Sequence, residues 1–414
     1  MSTTISILGG VGLFLLGMTV MTAGLKSLAG SGLRTVLGKA AATPLRGSFW
    51  GALVTLLVQS SSATVMTTIG LVSAGLLTFP QGLGLVFGAN VGTTGTGWLI
   101  ALIGVRVSLT AAALPMIFVG ALIKVLGRGR VSGAGAALAG FALVLFGLTT
   151  LQQGMGGLAE RLHPADLPAV LAGPGAGWWA GLFGVLALVG VGLVMTAVMQ
   201  SSTAAIAVTL SAHYAGAVGL DQGCALIIGQ NIGTATSSAM AAIGASSTAK
   251  RLALAYILFK LIAALIALVL FPVVTPLLIR ASKTVDGVTL LAGYHTAYNV
   301  VGVLVLLPVI DKFTRFVERM QGAREPTLLV LRFGRAVHIG HECLCLAQCL
   351  GGLQNRYGVF TPADGFAAAG GRQRRVERSA HRHERARDRP PHRFHGRDWS
   401  RERRGVEATR KGRA

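Results

Sequence analysis

The sequence predicts an all-α, polytopic membrane protein: two inverted-topology repeats, each with three spanning helices and a re-entrant or broken hairpin, plus one further spanning helix. Three observations predict it. Hydrophobic residues make up 52% of the 414 and charged residues only 13%, far from the balance of a soluble domain. A polar run, Gln59-Ser60-Ser61-Ser62-Ala63-Thr64, returns as Gln200-Ser201-Ser202-Thr203-Ala204-Ala205. Each copy is followed, 31 positions on, by an asparagine motif: Gly88-Ala89-Asn90-Val91-Gly92-Thr93-Thr94 and then Gly229-Gln230-Asn231-Ile232-Gly233-Thr234-Ala235. Both pairs share one offset of 141 (59 to 200, 90 to 231), which marks an internal duplication.

The first apolar run, 5–25, has no basic residue before it and is long enough to cross a hydrocarbon core of about 30 Å. It reads as a retained helix rather than a cleaved signal peptide. Further runs of spanning length cover 80–103, 107–126, 132–155, 222–243, 252–279 and 288–310. Between them lie segments 48–79 and 178–220, each with a Gln-Ser run near its middle. The first offers about sixteen residues per limb where a span needs about twenty, so it is expected to re-enter or break; the second is long enough for a full span plus a short limb.

With the N-terminus outside, the inner loops hold 13 Lys and Arg against 4 in the outer loops, as the positive-inside rule requires. Leu16-Gly17-Met18-Thr19 resembles Phe146-Gly147-Leu148-Thr149, so each unit begins before its Gln-Ser run and contains three crossings. An odd number inverts the second copy, the plan of many secondary transporters. The expected organisation is repeat 1 over 1–131, repeat 2 over 132–287, a last helix and cytoplasmic exit over 288–323, and a basic tail over 324–414.

Polar groups inside apolar sequence must find protein or a water-filled cavity, because lipid offers no partners. A helix broken at bilayer depth presents free N–H groups and the positive end of its dipole to an anion, while freed carbonyls can hold a small cation. Gly88, Gly92, Gly229 and Gly233 are read as allowing unwound backbone there. One Ser- and Gly-rich cluster alone would read as helix packing; two matched pairs at a common offset favour binding. No Asp or Glu lies inside an expected span, and of the histidines only His213 and His295 fall near one, so a proton relay is poorly supplied. Neutral oxygen ligands suit sodium. Lys260 sits about 12 Å along its helix by the helical rise and is expected to snorkel to the inner interface; a fixed charge that steadies an anion or replaces a cation is the alternative.

On these residues the chain resembles the bacterial sodium/phosphate cotransporters related to the type II sodium-dependent phosphate carriers, over about residues 5–319. The resemblance implies sodium-coupled symport of inorganic phosphate in a bacterial inner membrane. Gln59, Ser60, Ser61, Ser62, Gln200, Ser201, Ser202 and Thr203 would surround the substrate. Thr64, Asn90, Thr93, Thr94, Asn231, Thr234, His295 and Asn299 would bind or support sodium. His295-Thr296-Ala297-Tyr298-Asn299 looks like a family His-x-x-Phe-Asn helix, and in the corresponding element of the second repeat Tyr256 and Lys260 stand where the family pattern has His and Asn.

The tail departs from the family: instead of a PhoU-like domain it carries 20 Lys and Arg against 9 Asp and Glu. A disordered product of a frameshift is expected. His338, His341, Cys343, Cys345 and Cys349 lack a zinc-finger spacing, and the four cysteines form no disulfide framework. The expected partners are phosphate, sodium and the lipid bilayer, with no specific nucleic acid, no cofactor beyond sodium, and room for a homo-oligomer. An intramembrane hydrolase is disfavoured because duplicated hydroxyls are not matched by a duplicated base. A carrier of another oxyanion or a dicarboxylate, or a transport-inactive phosphate sensor, are the competing readings.

Overall fold

A computed structural model of the chain describes residues 2–30, 32, 36–38, 41–104, 110–170, 177–241 and 247–322. The tail, its His/Cys run and the frameshift expectation lie outside the described residues. The order is α1 (Thr3–Ala29), α2 (Pro44–Val58), α3 (Ser61–Ser73), α4 (Phe79–Thr93), α5 (Gly95–Leu99) running into a π turn (Ile100–Gly104), α6 (Thr110–Leu126) and α7 (Arg130–Ala159). There follow a 3₁₀ turn (Pro164–Asp166), α8 (Trp178–Met199), α9 (Ser202–Tyr214), α10 (Leu220–Gly233), α11 (Ala235–Ala241), α12 (Ser247–Ala281), α13 (Gly287–Leu306) and α14 (Ile310–Gly322). Among the described residues there is no strand.

Among the described residues six helical stretches are long and apolar enough to cross a membrane: Thr3–Ala29, Phe79–Leu102, Arg130–Ala159, Trp178–Met199, Lys250–Ala281 and Gly287–Leu306. Side chains such as Val125, Phe183 and Val198 stand exposed, as a lipid-facing surface allows. Two further expected spans are divided or only partly described. The run 222–243 is divided at Thr234 into α10 and α11, and 107–126 is a 17-residue helix in its described part. In both copies the helix breaks just after the Asn-x-Gly step, where Thr94 donates to Val91 O at 2.7 Å and Thr234 to Asn231 O at 2.6 Å. Those hydroxyls compete with the backbone ladder and end the regular helix.

Glycines at seven-residue intervals dictate how α1 meets α7. A methyl group added at Gly10, Gly17 or Gly24 would fall 2.5, 2.5 or 2.4 Å from the backbone nitrogens of Leu151, Val144 and Ala137. Reciprocally, one added at Gly140, Gly147 or Gly154 would fall 2.1, 2.5 or 2.7 Å from those of Met21, Phe14 and Ile7. The helices therefore run antiparallel at backbone contact, with dispersion and close packing in place of a hydrophobic drive.

The Gln-Ser segments are built differently. Gly84, Gly88 and Gly92 of α4 press on Pro44, Ser48 and Ala52 of α2, so these two helices run parallel. Gly229 and Gly233 of α10 press likewise on Val189 and Leu193 of α8. With α2 and α4 parallel, α3 between them must return to the end where α2 began. The duplication is thus structural: α3 and α9 have equal lengths 141 positions apart, and Gly75 (φ 71°) and Gly216 (φ 84°) take the same left-handed turn after them. The glycines of the asparagine motifs are helical and serve close approach, not the unwinding expected of them.

Aromatic stacking closes the middle. Phe87 of α4 lies 4.5 Å from Phe259 of α12 and 6.2 Å from Phe313 of α14, ring centre to ring centre. α14 buries Phe313 and Val317 and leaves Lys312, Arg315 and Arg319 exposed, the pattern of an amphipathic surface helix.

Candidate functional site

The two Gln-Ser runs fold into the same irregular turn. Gln59 (φ 56°, ψ 33°) and Gln200 (φ 50°, ψ 22°) are the positive-φ non-glycine residues among those described. Such a conformation costs about 1–2 kcal/mol for a residue with a Cβ. Each offsets part of it by donating its own side-chain Nε2 to the carbonyl three residues back, Leu56 at 2.6 Å and Ala197 at 2.5 Å. The next residue is extended and caps the following helix: Ser60 Oγ accepts from Ala63 N at 3.3 Å, and Ser201 Oγ from Ala204 N at 3.2 Å. Chain direction reverses and a fresh helix N-terminus opens.

Ser61 and Ser62, and Ser202 and Thr203, occupy the first turns of α3 and α9. Their hydroxyls have no hydrogen-bond partner among the described residues. Ser62 is exposed, Ser61 and Thr203 half-buried, and Ser202 buried. Each turn therefore offers two uncommitted hydroxyls beside the first N–H groups of a helix, which have no intrahelical acceptor. That set can donate to an anion.

The two copies touch reciprocally, α5 against α9 and α11 against α3. Within copy one, Gln59 Oε1 accepts from Thr96 Oγ1 of α5 at 2.5 Å. α5 also reaches α13, where Trp98 Nε1 donates to Thr296 Oγ1 at 2.9 Å and Gly97 faces the His295 ring. The His295 Nδ1 atom is buried without a hydrogen-bond partner among the described residues.

Other expected sodium ligands also bond within the protein. Thr64 Oγ1 accepts from Thr55 Oγ1 at 2.8 Å, tying α3 to α2. Thr93 donates to Ala89 O at 2.9 Å, and Thr94 and Thr234 cap their own helices. Sequence reading passed over Thr55 and Thr96. Their signal was the same offset, which carries Thr55 to Thr196 and Thr96 to Ser237. In copy two Ala205 replaces Thr64, so the buried Thr196 hydroxyl has no hydrogen-bond partner among the described residues.

The asparagines instead form a buried line across the molecule. Asn90 is 2% and Asn231 3% exposed. Tyr256 of α12 donates its hydroxyl to Asn90 Oδ1 at 3.0 Å, while Asn90 Nδ2 donates to Val86 O at 3.2 Å. One turn along α12, Lys260 Nζ donates to Asn231 Oδ1. Asn231 Nδ2 then donates to Asn299 Oδ1 at 3.0 Å, and Asn299 Nδ2 to His295 O at 2.8 Å. Lys260 thus does not snorkel: it is 2% exposed, and its amine turns inward because an amide oxygen and the Tyr256 ring, 5.4 Å away, receive it. Tyr256→Phe would leave Asn90 Oδ1 unpaired and is expected to cost about 1–3 kcal/mol, read as a lower melting temperature in detergent.

The Na+/Pi-cotransporter family profile matches residues 13–153 and 184–291, which takes in both Gln-Ser runs and both asparagine motifs. The chain belongs to the Na+/Pi-cotransporter family. This is a transporter family and not an enzyme family, so the hydrolase reading falls. Among similar proteins, the uncharacterized YqeW of Bacillus subtilis is 28% identical over 311 residues, 75% of this chain and 96% of that protein. YjbB of Escherichia coli, whose name proposes inorganic phosphate export, is 30% identical over 319 residues, 76% of this chain but 55% of YjbB. Human sodium-dependent phosphate transport protein 2B is 44% identical over 62 residues, 15% of this chain and 9% of that protein. No solved structure matches the chain.

Proposed function

We propose that the protein carries inorganic phosphate across a bacterial cytoplasmic membrane, coupled to sodium, with phosphate received by the paired first turns of α3 and α9. The observation that carries this is the pair of uncommitted hydroxyl sets, Ser61 and Ser62 and Ser202 and Thr203, at equivalent helix N-termini. A phosphate leaving water loses its hydration shell, and these hydroxyl and backbone donors replace it. Gln59, Ser60, Gln200 and Ser201 hold the two turns open to substrate.

Inverted topology is supported by the α1–α7 contact. At the offset of 130 between those helices, Gly10 against Leu151 maps onto Gly140 against Met21, and Gly17 against Val144 onto Gly147 against Phe14. Such reciprocal pairing is the mark of a two-fold relation, and a two-fold relating antiparallel first helices inverts one unit on the other. The parallel course of α2 and α4 supports a re-entrant first hairpin. The charge distribution favours an outside N-terminus.

Sodium is favoured as coupling ion by neutral amide oxygens such as those of Asn90 and Asn299 where a proton relay would need carboxylates, with no cofactor needed beyond it. Direction follows the gradients, and export, which the name of YjbB proposes for that protein, is the reverse of the same cycle. Labelled phosphate uptake into proteoliposomes tests the reading: uptake should rise with an inward sodium gradient, resist sulfate and succinate, and run outward from phosphate-loaded vesicles. Uptake indifferent to sodium, or blocked equally by sulfate, would refute it.

A further inference from the structure

We propose that the Lys260 ammonium is a tethered cation, filling on the Asn231 amide oxygen the place that a mobile sodium ion would otherwise take. This rests on the sodium-coupled reading for the identity of the displaced ion. The duplication supplies two equivalent amide oxygens, Asn90 Oδ1 and Asn231 Oδ1, both buried and both turned toward α12. α12 meets them with side chains one helical turn apart on one face. Copy one receives a phenol from Tyr256; copy two receives the Lys260 amine.

A buried ammonium is tolerated only where something compensates it. Among the described residues Lys260 forms no ion pair with a carboxylate; its hydrogen bond goes to an amide oxygen. Its surroundings are a neutral amide oxygen, itself polarised through Asn299, and the face of Tyr256. Amide oxygens and aromatic faces are ligands for a monovalent cation. A lysine in such a ligand set serves as the ion and never leaves. The consequence is a transport cycle with one sodium fewer than the two asparagine motifs would otherwise hold, and less charge moved per phosphate.

The test is binding of radiolabelled sodium to the purified full chain in detergent without phosphate, with melting temperatures measured alongside. Lys260→Asn and Lys260→Met should each bind one sodium more per chain than the parent, and sodium should raise their melting temperatures more steeply, as a ligand of the native state does. Lys260→Arg should keep the parental stoichiometry. The inference is overturned if both neutral variants fold and bind no more sodium than the parent. A neutral variant that folds only with sodium present supports it, and one that sodium fails to restore overturns it. If parent and variants alike bind no sodium, the coupling reading falls as well; if the parent binds sodium and the variants gain none, this inference falls alone.

Discussion

Gly88→Val and Gly229→Val are each expected to leave no monodisperse folded protein in detergent, by size-exclusion profile. A Cβ at Gly88 would stand 1.8 Å from Ser48 O, and one at Gly229 1.9 Å from Val189 O. These are backbone atoms of a helix packed along its whole length, so neither can yield without parting α2 from α4 or α8 from α10. Overpacking ordinarily costs about 1–3 kcal/mol where side chains can shift; here the cost should exceed about 4 kcal/mol, in the range where a single change unfolds a domain. Gly190→Val is the control, since a Cβ there meets nothing within 4 Å. Normal folding of Gly88→Val would show that the parallel pairing, and the hairpin it imposes, has been misread.

Ser61→Ala and Ser202→Ala are expected to reduce phosphate uptake steeply while leaving the melting temperature nearly unchanged. Neither hydroxyl has a partner among the described residues, so its removal breaks no internal bond. A hydrogen bond to a charged group is worth about 1.5–3 kcal/mol, which converts to about 10- to 100-fold in affinity. The double variant should have no measurable saturable uptake. Ser60→Ala and Ser201→Ala separate the roles: as N-caps they should lower stability by about 1 kcal/mol. Unchanged apparent affinity in both Ser61→Ala and Ser202→Ala would remove these hydroxyls from the substrate path.

Much of the candidate site was legible because it is repetitive. An offset of 141 is visible in one dimension, and it led to Gln59 and Gln200, Ser61 and Ser202, Asn90 and Asn231 before any coordinate. What each residue type would do was less legible. Glycine in the asparagine motifs suggested loose backbone, yet those glycines are helical and the left-handed non-glycine residues among those described are the glutamines, whose long amides can reach back to their own helix ends. Threonine suggested a cation ligand, and in the fold Thr64, Thr93, Thr94 and Thr234 also bond within the protein, because a hydroxyl in a helix has a carbonyl within reach one turn back.

Lys260 is the clearest case of the limit. Its distance along the helix suggested an escape to the interface, since a lysine in lipid has nowhere better to go. In the fold Asn231, 29 residues away, and Tyr256 receive it inside, while Tyr256 itself reaches Asn90 across 166 residues of chain. The sequence by itself determined that this is a duplicated membrane protein with two polar breaks, because hydrophobic length and repetition are properties of the string. Only the tertiary structure decided which oxygens face which donors, because that depends on how closely glycine lets distant helices approach and on the angle at which they then meet.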